Sequence, residues 1–254
     1  MPAARTERPG LRAAYVAIGG ELLLTLLAFV VAATFVANLP GLRPAVEWLA
    51  VRVFGPPTID PAQFKIVAAL LLAPLSTLLA AALHRGLVRL LPDDEPASPL
   101  PTSIPLLASV GQVLLHFLLA ILGSYLLAVT MHLLGFPVAE QPLVVEITRN
   151  PWGPEIGVLA VSALLLAPLG EELLLRGQLF RRVAARTGLA PAYATTALVF
   201  AVIHWNPQGF IVYAWLALVF ARVYTVTGRL GAAIAVHFGN NAITLAALLF
   251  APDL

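Results

Sequence analysis

Apolar residues run through this chain in long blocks rather than in alternation, and prolines, glycines or charges close each block. A helix needs about 20 apolar residues to cross the hydrocarbon of a bilayer. On that measure the pattern predicts helices over Ala13–Ala37, Phe64–Leu83, Ile104–Leu134, Gly157–Phe180, Ala190–Trp205, Phe210–Val226 and Ala232–Phe250. The fifth and sixth are short, as expected of helices buried within a bundle. The predicted fold class is therefore all-α, a polytopic transmembrane helical bundle of about seven helices. Between the blocks lie Asn38–Gln63, with Pro40, Pro44, Pro56, Pro57 and Pro61, and Pro92–Pro105, which reads PDDEPASPLPTSIP. Both are expected to be irregular linkers. The polar stretch Gly135–Pro154 and the tight turn Trp205–Gly209 (WNPQG) complete the punctuation. The first apolar run is too long for the core of a secretory signal and reads as a retained helix. There is no internal repeat of the transporter type.

Composition agrees with a lipid-embedded chain. Of 254 residues, 60% are hydrophobic and 11% charged, with a mean hydropathy of +0.91. Soluble domains carry roughly a quarter charged residues. Cysteine is absent, which excludes disulfides, thiolate metal sites and a cysteine nucleophile. The arginines are scattered between blocks, so no nucleic-acid footprint is expected and the implied partner is the lipid bilayer. Their distribution also orients the chain. With a cytoplasmic N-terminus, Arg5, Arg8, Arg12, Arg85, Arg89, Arg181, Arg182, Arg186, Arg222 and Arg229 lie inside, and Arg43, Arg52, Lys65 and Arg149 outside. This satisfies the positive-inside rule and predicts an integral protein of the cell (plasma) membrane with its N-terminus in the cytoplasm.

A charge at the centre of a membrane helix costs about 2.5–3.5 kcal/mol to insert, so polar residues there are informative. Three clusters stand out in the last hundred residues. In APLGEELLLRGQLF, Glu172 and Arg176 are four apart and share a helix face, while Glu171 is turned about 100° away toward another neighbour. In ALVFAVIHW, Phe200 and His204 share a face; in AVHFGNNA, His237 and Asn241 do, with Gly239 and Ala235 small enough to admit a neighbouring helix. Taken singly, these are a structural ion pair, a hydrogen-bonded histidine and a helix–helix clamp. Taken together, a carboxylate, two imidazoles and an amide on three apolar helices equip one cavity to add water to a carbonyl. No Gly-x-Ser-x-Gly elbow is present. Glu21 is expected to reach the headgroups from the first helix, and His116 and His132 have no motif around them.

The order EExxxR (Glu171, Glu172, Arg176), FxxxH (Phe200, His204), HxxxN (His237, Asn241) resembles the three motifs of the CPBP family, which includes type II CAAX prenyl endopeptidases and Abi-like immunity proteins. The likeness covers about 155–250, a catalytic helical core, whereas 1–134 reads as membrane helices without a motif. The resemblance implies an intramembrane endopeptidase acting on a peptide or membrane-protein substrate. Glu171 and His204 would activate a water, His237 and Asn241 would stabilise the oxyanion, and Glu172 would share the acid–base work. Arg176 and Phe200 would give structural support. The family is often described as metalloproteases, and Glu171, His204 and His237 would supply three ligands to a divalent metal such as zinc. The HExxH signature is absent, and a metal-free, glutamate-activated water is equally compatible. The competing functions are a non-catalytic immunity or scaffolding protein of the same family and, with less support, a transporter or proton relay.

Overall fold

A computed structural model of the chain describes residues 10–54, 61–90, 103–136, 138–149, 153 and 155–251. Arg5, Arg8, Pro56, Pro57, most of the Pro92–Pro105 linker and parts of Gly135–Pro154 lie outside the described residues. Among the described residues there are nine helices and no strand: α1 Leu11–Ala37, α2 Leu42–Phe54, α3 Pro61–Leu90, α4 Leu106–Leu133, α5 Pro142–Thr148, α6 Glu155–Thr187, α7 Leu189–Ile203, α8 Phe210–Thr227 and α9 Leu230–Phe250. Six of these, α1, α3, α4, α6, α8 and α9, are long and apolar enough to cross a membrane. The 15-residue α7 is shorter, as expected, whereas α8 reaches 18 residues.

The count departs from seven because two predicted linkers contain helices. Pro44 marks Asn38–Gln63 as irregular in the sequence, but it falls in the first turn of α2, where a missing N–H costs nothing. This helix buries Val46 and Ala50 on one face and leaves Trp48 exposed, with the Arg52 guanidinium 5.1 Å above the indole. The second is α5, opened by Pro142.

The bundle is organised around α6. It packs against α3 on one side and against α7 and α9 on the other, and its C-terminal turns reach α1. Opposite α6, α4 lies across α8 and α9. The main core gathers Leu175, Leu179 and Phe180 of α6, Phe200 of α7, Phe220 of α8 and Val236 of α9. The outward faces of α1 and α4 expose leucines such as Leu23, Leu107, Leu114, Leu118, Leu122 and Leu126. Such faces suit lipid, which does not penalise apolar exposure. Gly170 sits where α3 crosses α6, and a Cβ there would lie 3.2 Å from the backbone nitrogen of Leu78. Its absence brings α3 against the helix turn that carries the glutamate pair.

Two wide, π-type turns interrupt α6, at Ser162–Leu166 and Glu172–Phe180. Segments of this kind are frequent at functional sites. Here the second begins on Glu172 itself.

Candidate active site

The second π segment buries its polar residues rather than presenting them to lipid. Glu172 and Arg176 are completely buried, and Arg176 Nη1 donates to Glu172 Oε1 at 2.9 Å. The other arm of the guanidinium, Nη2, donates to the carbonyl of Ala217 on α8 at 2.9 Å. Its plane lies 5.1 Å from the Phe200 ring and 5.4 Å from Phe220. One arginine thereby joins α6 to α7 and α8 through a charge pair, a carbonyl and two aromatic faces.

Glu172 Oε1 accepts a second bond, from Nδ1 of His237 on α9 at 3.0 Å. A carboxylate oxygen only accepts, so Nδ1 carries the proton and the ring presents Nε2 to the site. That nitrogen lies 4.0 Å from Glu171 Oε2. Glu171, expected to turn to a different neighbour from Glu172, instead meets the other nitrogen of the same histidine. Glu171 Oε2 and Glu172 Oε2 are both buried without a hydrogen-bond partner among the described residues. Two unmatched acceptors inside an apolar bundle are costly unless something donates to them.

His204 terminates α7. Its Nδ1 donates to the carbonyl of Phe200 at 2.6 Å, which again leaves Nε2 for chemistry. The ring is held between two aromatic faces, Phe200 with centroids 4.4 Å apart and Tyr213 of α8 at 4.2 Å. Phe200 also packs edge-on against His237 at 5.7 Å, so both imidazoles border one phenyl ring. The residue after His204, Trp205, has φ +49°, uncommon for a large side chain. Beyond it Asn206 ties down the turn: its Nδ2 donates to the carbonyl of Ala139 at 2.6 Å, and its Oδ1 accepts from Gly209 N at 3.2 Å.

Residues 153–243 match the family model described as Rce1-like, type II CAAX prenyl endopeptidase. This stretch of the chain is similar to that family. This agrees with the resemblance seen in the three motifs, all of which lie within the matched residues. No curated protein and no solved structure matches the chain. Six long apolar helices, together with this match to a membrane-protease family model, support an integral membrane protein.

Within the matched residues, Asn241 has a structural partner. Its Nδ2 donates to the carbonyl of Ala163 on α6 at 2.8 Å, and its Oδ1 accepts from Asn240 at 3.3 Å. Asn240, which sequence spacing places off the active face, is buried and supports Asn241 from the side. Gly239 does admit a neighbour, since a Cβ there would touch the Phe117 ring of α4 at 3.0 Å.

Metal ligation does not fit this arrangement. Among the described residues no group of three His, Asp or Glu side chains is placed to hold a metal ion. Glu171 and His237 are near one another, but with His204 they do not form such a group. No step below is therefore routed through a metal.

One sequence expectation is corrected outside the site. Glu21 does not reach toward headgroups. It is buried, and its Oε2 accepts from Arg182 Nε at 2.7 Å while Oε1 accepts from Arg186 Nη1. The pairing satisfies the carboxylate inside the bundle and ties α1 to α6. Nearby, His84 of α3 and Gln178 of α6, neither singled out by a motif, form a buried link. His84 Nδ1 donates to Gln178 Oε1 at 2.5 Å, and Gln178 Nε2 donates to the carbonyl of Ala81 at 2.6 Å. Gln178 lies two residues past Arg176, and only its polarity in an apolar helix marked it. His116 keeps a local role, its Nδ1 donating to the carbonyl of Gln112 at 2.7 Å.

Proposed function

We propose that this protein is an intramembrane endopeptidase in which Glu171 activates the water that attacks a peptide carbonyl. The observation that carries the reading is the unpartnered, buried Glu171 Oε2, 4.0 Å from the Nε2 of a histidine whose other nitrogen is anchored on Glu172. That separation is too long for a direct hydrogen bond and short enough for one water oxygen to touch both groups. Glu171, assisted by His204 Nε2, takes a proton as the water oxygen bonds to the carbonyl carbon. The carbonyl π electrons move to oxygen, where doubly protonated His237 donates from Nε2 and Asn241 from its remaining amide N–H. Collapse of the tetrahedral intermediate re-forms the carbonyl and breaks the C–N bond, and the proton held by Glu171 passes to the departing amine. Glu172 fixes the His237 ring and can share that proton. Arg176 and Phe200 hold the helices that bear these groups.

We take residues 155–250 as the catalytic core, peptides or membrane-protein termini as the substrate class, and the plasma membrane with a cytoplasmic N-terminus as the setting. A C-terminal reporter active only in the cytoplasm should then stay silent, and activity would overturn the orientation. The function itself is tested by comparing membrane-derived peptides by mass spectrometry in cells carrying the wild type or a well-folded Glu171→Gln protein. New termini present only with the wild type are expected. An identical set of termini, or a biological effect that survives Glu171→Gln, would leave the non-catalytic immunity or scaffolding reading in its place.

A further inference from the structure

Two prolines lie inside the membrane helices next to the site, and each leaves a backbone carbonyl that another helix completes. In α3, Pro74 has no N–H for the carbonyl of Leu70, and Ser162 Oγ of α6 donates to that carbonyl at 2.5 Å. The same relation recurs one helix on, closer to the chemistry. The Ala167 N–H bonds the carbonyl of Ser162, an i to i−5 step characteristic of the wide turn. This takes away the donor that an ordinary α-helix would offer Ala163. In the wide register the donor to Ala163 falls to residue 168, which is proline. The carbonyl of Ala163 is thus passed over by both registers, and the donor it receives is Asn241 Nδ2 of α9 at 2.8 Å.

We infer that Pro168 is a positioning residue for Asn241: by withholding an N–H from Ala163, it creates the acceptor that fixes the asparagine amide. An amide nitrogen has two hydrogens. One is spent on Ala163, which fixes the amide plane and leaves the other with a defined direction. Oδ1 is occupied by Asn240, so the flipped amide is disfavoured. Pro168 also lies three residues before Glu171, so the same wide turn sets the rotation of the glutamates relative to α9. The catalytic consequence rests on the proteolytic reading above; the coupling of Pro168 to Asn241 rests on helix geometry alone.

A double-mutant cycle tests it. Wild type, Pro168→Ala, Asn241→Ala and the double variant, each as the full chain in detergent micelles, are compared for thermal unfolding. In the wild-type background Asn241→Ala strips the Ala163 carbonyl of its donor, and the midpoint should fall by about 3 °C or more. In the Pro168→Ala background the alanine N–H serves that carbonyl, and the fall should shrink to less than half. Equal falls in both backgrounds mean the residues are independent and overturn the inference. Should Asn241→Ala not fold by itself, recovery of folding by Pro168→Ala is the expected result, and failure of both proteins overturns the inference. The rate of Glu171-dependent cleavage supplies a second reading. Each single variant should lose about tenfold or more, as expected of a misplaced catalytic group, and the double variant should be no slower than Asn241→Ala within about threefold. Multiplied losses in the double variant count against Pro168 acting through Asn241. If no Glu171-dependent cleavage exists, the proteolytic reading fails while the unfolding cycle still decides the coupling.

Discussion

The two polar clusters along α6 use the same residue types to opposite ends. Toward the C-terminal turns, Glu21 of α1 meets Arg182 and Arg186, and each carboxylate oxygen has its own arginine. Two turns earlier, Glu171 and Glu172 share a single arginine. Arg176 and His237 both converge on one oxygen, Glu172 Oε1, leaving Oε2 of both glutamates buried and unmatched. The first cluster is balanced, and a balanced buried pair is a fastening between helices. The second carries an excess of acceptors, and the proposed function uses these groups to receive a proton from water or substrate. On that proposal, what separates the two clusters is less the presence of charge than charge left incompletely paired.

The comparison is broken most directly at Glu171. Replacing it with Gln keeps shape and removes the base, so cleavage should fall by about 10²- to 10⁴-fold with the unfolding midpoint nearly unchanged. A rate close to wild type would move the chemistry elsewhere. Next in size is Arg176→Met, which removes the arginine of a buried ion pair and leaves Glu172 with His237 alone; it should cost about 3–5 kcal/mol of stability, read from thermal or denaturant unfolding in micelles. Loss of less than about 1 kcal/mol would mean that Glu172 is not held as an ion.

The His84–Gln178 link, which lies near the balanced cluster, should likewise respond in stability alone. Gln178→Leu strands His84 Nδ1 and the carbonyl of Ala81, at about 1–3 kcal/mol, while cleavage per folded molecule stays within twofold or so. A specific loss of catalytic rate in that variant would erase the distinction between the two clusters. The smallest effect is expected at Tyr213, the ring stacked on His204. Tyr213→Phe should stay within about threefold of wild type, whereas Tyr213→Leu should lose about tenfold, in keeping with the cost of a loosened catalytic side chain. Equal losses in both variants would assign the effect to the hydroxyl rather than to the stacked face.

Much of this site was legible because its pairs are local. Glu172 and Arg176, Phe200 and His204, and His237 and Asn241 each stand four apart, and helical periodicity puts them on one face without knowledge of any other helix. The partners that were missed are distant in sequence. Glu21 and Arg182 are 161 residues apart, and His84 and Gln178 are 94. No period links them, so Glu21 read as a headgroup-seeking residue and Gln178 did not register. The α2 helix was hidden for a different reason. Proline content reads as a breaker, and only its position in the first turn makes Pro44 harmless.

By itself the sequence determined that this chain is a bundle of apolar helices, and which three of those helices carry polar groups. Hydrophobic block length and the four-residue spacing are properties of the covalent chain and need no tertiary contact. Only the tertiary structure decided which carboxylate is spent and which is free. It put Arg176 and His237 on the same oxygen of Glu172, left Glu171 Oε2 unmatched 4.0 Å from an imidazole nitrogen, and turned the carbonyl of Ala163 toward Asn241. The physical reason is that hydrogen-bond capacity is shared among helices, so the group left over at the end of that sharing is a property of the packed bundle and of no single segment.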